Sequence, residues 1–186
     1  MATNILETIQ QNLQYPELQK IDPNTQDIDG KEPVSVIGHL GQAAIPAVLT
    51  GLYKLSRNIE GAEQILSAGS GYTLDLLFGD NTDRVVENVA HYGSVSINQA
   101  ESHMENISDE AIKLIKQAAG NDNNPKHLKT FMNDQRHNIL VYLPAVLNLG
   151  KMLEDNSLDD RTNKMEGPVS NLMHKIEDKF SGGRDR

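Results

Sequence analysis

Cysteine and tryptophan are absent from this 186-residue chain, and aromatic residues make up only 4% of it. Without cysteine there is no disulfide framework, no thiolate metal site and no cysteine nucleophile, although this leaves the redox compartment open. Basic residues are also scarce: 17 Lys and Arg stand against 26 Asp and Glu, for a net charge of -9. A surface of that sign repels phosphate backbones, which disfavours nucleic acid as a bulk partner. No unbroken apolar stretch reaches the ~20 residues that a membrane span needs. The opening MATNILETIQQNLQYP carries no Lys or Arg ahead of its apolar residues, unlike a secretory signal. The expectation is an acidic cytoplasmic protein with no transmembrane segment.

What the chain does contain is helical periodicity. Ile5, Leu6, Ile9 and Leu13 share one face of a short helix over residues 1–13. Pro16, Pro23, Gly30 and Pro33 then mark a breaker-rich linker. From Ser35 to Asn58 apolar residues recur at helical spacing around an internal Pro46, which requires a kink. Short helices are predicted over 62–68 and 72–78, separated by Gly69 and Gly71, and another over 82–92 with Gly93 as its stop. Ser96 and Gln99 form a capping-box pattern, and Ser108 reads as the N-cap of the following helix. Pro125 starts a long helix that continues through an internal Pro144. A polar loop over 155–167 precedes a last helix over 168–180. No segment alternates as a strand does. The fold expected is an all-α bundle of six to nine helices. Residues 1–33 form a short helix and irregular linker, 34–180 the helical domain, and 181–186 a disordered tail.

The helices also carry a repeat. HLGQAAIPAVLTGLYKL, from His39, aligns without a gap with HNILVYLPAVLNLGKML, from His137, and Pro-Ala-Val-Leu is identical in both. A fainter copy from His103, HMENISDEAIKLIKQAA, lacks the proline. An internal proline costs a helix about 3 kcal/mol, so its recurrence at Pro46 and Pro144 points to a structural duplication around two kinked helices.

The run from Pro46, with Leu77-Phe78-Gly79 and the turn Gly93-Ser94-Val95-Ser96, resembles the YidB-like bacterial family of unknown function over about residues 34–153. That resemblance implies a helical bacterial protein and supplies no catalytic residue.

Candidate chemistry is sparse. The repeat places His39, His103 and His137 at equivalent positions, where imidazole nitrogens could take zinc or iron with help from Glu101, Glu105 or Asp134. No His-Glu-x-x-His spacing supports that, and a histidine bordering the core explains each placement. Asp155, Ser157, Asp159, Asn163 and Glu166 match five positions of a calcium loop, but Asp160 stands where the turn needs Gly. Thr25, Asp27 and Asp29 before Gly30 lack a closing Glu. Ser70 lacks the nucleophile-elbow setting, Gly69-Ser70-Gly71 lacks a preceding strand, and Lys126, His127, Lys129 and Arg136 read as a solvated helical face.

The reading is a non-enzymatic bacterial helical binding or assembly module, with no catalytic residue and no cofactor. Its partner would be another protein or a second copy. Alternatives are a carrier of an apolar ligand in an inter-helix groove, opened by the kinks at Pro46 and Pro144, and a His-based metal-binding protein.

Overall fold

The computed structural model describes residues 4–22, 35–69, 73–120 and 123–158. The central element begins at Ser35, whose Oγ accepts the Gly38 N–H at 3.2 Å and so fills one of the open donors at a helix start. The helix that follows, α2 (Val36–Ser56), is buried on every side from Leu40 to Tyr53. Such all-round burial is what an all-round apolar helix requires. Its partners are α1 (Ile5–Asn12), α3 (Ile59–Ser67), α4 (Thr73–Phe78), α5 (Thr82–Gly93), α6 (Ile97–Ala119) and α7 (Pro125–Leu140), all of which pack against it. The fold is an all-α bundle of these seven helices, followed by a four-residue helix α8 (Leu149–Met152).

By length and composition alone α2 is long and apolar enough to cross a membrane, although it holds no unbroken apolar run of that length. Gly, Ala, Thr and Gln interleaved with its larger side chains hide this from a search for unbroken apolar runs. In the bundle, 83% of its most apolar window is buried, as in the core helix of a folded domain.

Several helix ends fall where their capping residues place them. Asn4, Asn58 and Asn124 accept first-turn N–H groups of α1, α3 and α7, and Ser96 and Gln99 form the capping box of α6. Other readings need correction. Ser108 caps nothing: α6 runs unbroken through it, because Met104, Ile107, Ala111, Ile112 and Ile115 keep one continuous buried face. The Ser108 hydroxyl is buried without a partner. At the end of α5, Ser94 takes the left-handed turn (φ 53°), whereas Gly93 is needed for close packing. A Cβ on Gly93 would lie 3.1 Å from the Leu40 Cα of α2.

The two prolines of the repeat occupy different settings. Pro46 sits inside α2, and the hydroxyl of Thr50 donates to its carbonyl at 2.6 Å. Pro144 lies outside a helix: α7 ends at Leu140, and Pro144 (ψ 126°) leads into a short 3-10 turn, Ala145–Leu147. A proline also disfavours helical backbone at the residue before it. The carbonyls released by ending α7 find tertiary donors, since Val141 O accepts the Ile21 N–H at 2.8 Å and Tyr142 O accepts from Gln42 Nε2 at 2.9 Å. The shared kink is absent, and the described residues show no duplication.

After α7 the chain wraps the bundle as an irregular strap, held through its backbone carbonyls. Besides Gln42 on Tyr142, Asn88 donates to Leu147 O, Asn81 to Met152 O and Lys54 to Leu153 O, while Arg57 pairs with Asp155. Buried loop carbonyls need such partners. Beneath this strap Leu143, Leu147, Leu149, Leu153 and Leu158 complete the core.

Candidate functional site

The segment after α1 contributes more than a linker would. Tyr15, Leu18 and Ile21 recur every third residue and are all buried. Tyr15 fits against α2 because Gly41 leaves room for its ring, where a Cβ would come within 2.7 Å of Cδ1. On its other side Tyr15 meets α6. Its hydroxyl lies 2.5 Å from His103 Nδ1, with the two rings edge to face at 5.9 Å. Burial pushes the Tyr15 hydroxyl up to about 12, so at neutral pH it keeps its proton.

Above this pair opens a cleft of about 510 Å³, lined by Leu13, Tyr15, Ile37, His103, Asn106, Asp109, Glu110 and Lys113. Its apolar side is supplied by the end of α1 and the head of α2, where Ile37 is 40% and its neighbour Val36 58% exposed. Its polar side is one face of α6. Burial pushes the Glu110 carboxyl up, but hydrogen bonds from Asn12 Nδ2 (2.7 Å) and Lys113 Nζ (3.0 Å), with the Lys113 charge, outweigh this and hold it below the usual range. Asp109, one position earlier, is exposed and makes no hydrogen bond or ion pair with the described residues.

The three histidines do not share a site. His39 stacks edge to face on Tyr92 of α5 at 6.0 Å, His103 pairs with Tyr15, and His137 is exposed near the end of α7. Among the described residues no three His, Asp or Glu side chains gather as metal ligands would. Asp155 instead turns its carboxylate to Arg57 and to the Ser157 N–H and hydroxyl. The remaining calcium candidates Asp159, Asn163 and Glu166, the Thr25–Asp29 group and Ser70 lie outside the described residues, as do the predicted helix over 168–180 and the tail 181–186. A second cleft of about 370 Å³, lined by Lys54, Leu76, Leu77, Phe78 and Met152 among others, lies at the far end of α2. Neither cleft is lined by Pro46 or Pro144.

Sequence reasoning singled out His103 but missed Tyr15, Ile37, Asp109 and Glu110. The available signal was a tyrosine three and six residues ahead of Leu18 and Ile21, within a segment otherwise dominated by breakers. Compared with known proteins, the chain matches no family model, no curated protein and no solved structure.

The buried hydroxyl has a measurable consequence. The unfolded chain ionises its tyrosines near pH 10, whereas Tyr15 in the fold holds its proton to about 12. Its contribution to stability is therefore fully present below pH 10 and lost as pH rises toward 12. In a phenolate absorbance titration of the five tyrosines, Tyr15→Phe should remove a step near pH 12. A wild-type titration with every tyrosine near pH 10 would contradict the buried hydroxyl.

Proposed function

We propose that this protein is a non-enzymatic helical binding module, of the bacterial kind its sequence resembles, and that the cleft over Tyr15 and His103 is its contact surface for another protein. One observation carries the reading: the exposed Ile37 at the head of α2, with Leu13 and Tyr15, lines a cleft that has an apolar side and a polar wall. Pockets of this composition take ligands through an apolar anchor and a few orienting polar groups. The Tyr15–His103 pair supports a binding role over a reactive one, since a phenol held protonated to about 12 is a poor nucleophile or base at neutral pH. It serves as a rigid floor.

The test is position-dependent crosslinking in living bacteria. A photoreactive side chain replacing Asn106, at the cleft, is expected to capture a discrete protein identifiable by mass spectrometry. The same group at Glu63, exposed on α3, is expected to capture none. Equal yields from the two positions, or no product from 106, would count against the cleft.

A further inference from the structure

We propose that the segment bound in this cleft presents a lysine or arginine directly beside an apolar residue. The inference rests on the cleft being a binding surface and adds the chemistry of its occupant. The apolar member follows from Leu13, Tyr15 and Ile37, which offer hydrocarbon to one side of the cleft.

The cationic member follows from how the charges are used. Glu110 is committed to Asn12 and Lys113, and by the same contacts Lys113 is tied to Glu110. Glu110 is little exposed, and Lys113, although its side chain is exposed, has its charge offset by the carboxylate it binds. Asp109 stands on the same wall and has no hydrogen-bond or ion-pair partner among the described residues. A lysine or arginine can lay its alkyl stem along an apolar surface such as Ile37 while its charged head reaches a carboxylate. The long-range field acts in the same direction, because a net charge of -9 attracts a basic segment and repels an acidic one. An acidic peptide would meet Asp109 unshielded and would find Lys113 already paired.

A phage-displayed random hexapeptide library, selected on the full chain, tests this. Wild type is expected to enrich Lys or Arg adjacent to Leu, Ile, Val or Phe. Synthetic copies of the enriched peptides should bind Asp109→Asn about three- to fivefold more weakly, the range of an exposed ion pair, and with less salt dependence. Asn106→Trp, which fills the cleft from an exposed position of α6, should abolish capture while keeping the wild-type melting temperature. If enriched peptides are blocked by Asn106→Trp but show no basic bias, or bind Asp109→Asn undiminished, the occupant's chemistry is wrong and the cleft stands. If nothing is enriched, or Asn106→Trp captures as well as wild type, the binding surface falls and this inference falls with it.

Discussion

Gln42→Leu is expected to destabilise the protein by about 4 kcal/mol, the sum of several partly buried backbone groups left without partners. Gln42 is 2% exposed in the middle of the bundle. Its amide grips Gln19 as a neighbouring strand would, with Oε1 accepting the Gln19 N–H at 2.7 Å and Nε2 donating to Gln19 O at 2.9 Å. The second Nε2 hydrogen goes to Tyr142 O at 2.9 Å, so one side chain of α2 joins the segment after α1 to the strap after α7. Leucine keeps the bulk and removes every bond. For a chain of this length the expected loss is roughly 8–16 °C in melting temperature. Hydrogen exchange separates this loss from a general softening: the Ile21 N–H, held by Val141 O, should lose protection before the amides of α2 and α6. Gln42→Glu sharpens the test, because a carboxylate accepts from Gln19 N–H but faces two carbonyl oxygens. Its folded pKa would be raised, so that variant should be most stable below the unfolded glutamate value of about 4.3 and lose stability as pH rises. A Gln42→Leu variant melting within a degree or two of wild type would show that water replaces the amide without loss.

Elements that satisfy their own backbone were the legible ones. The starts of α2, α6 and α7 follow from Ser35, Ser96 and the Asn124-Pro125 pair, all local signals. Local signals misled where a long-range partner decided the outcome. Ser108 has the chemistry of an N-cap, yet the buried stripe from Met104 to Ile115 carries α6 past it. Pro144 matches Pro46 in sequence, but α2 is enclosed by six helices that offset the cost of a buried proline. The end of α7 is instead met by Ile21 and Gln42, which take the freed carbonyls. Neither donor is visible from residues 137–153 themselves. The same limit hid the cleft, since Tyr15 and His103 are 88 residues apart and a helical stripe says nothing about which aromatic will close over it. Matching His39, His103 and His137 by register brought together residues that the fold keeps on separate contacts.

Gly61→Ala should cost about 3 kcal/mol, near the upper end for forcing atoms into a packed interior, although alanine is the better helix former. The reason lies in the corner between α2 and α3, which Arg57 and Asn58 turn. Asn58 Oδ1 accepts the Gly61 N–H at 2.6 Å, drawing the first turn of α3 down onto the last turn of α2. A Cβ at position 61 would then lie 1.9 Å from the Leu55 carbonyl oxygen and 2.8 Å from its carbon. Those are backbone atoms of a helix end, and no rotamer change relieves the overlap. Either α3 shifts, breaking the Asn58 cap and its packing on α7, or the last turn of α2 unwinds. Gly69→Ala is the matched control, because a Cβ there meets nothing within 4 Å; it should stay within about 0.5 kcal/mol of wild type. Denaturant unfolding of the two variants side by side measures the difference. Equal midpoints would mean that the α2–α3 corner yields freely, and that Asn58 does not fix the approach of the two helices.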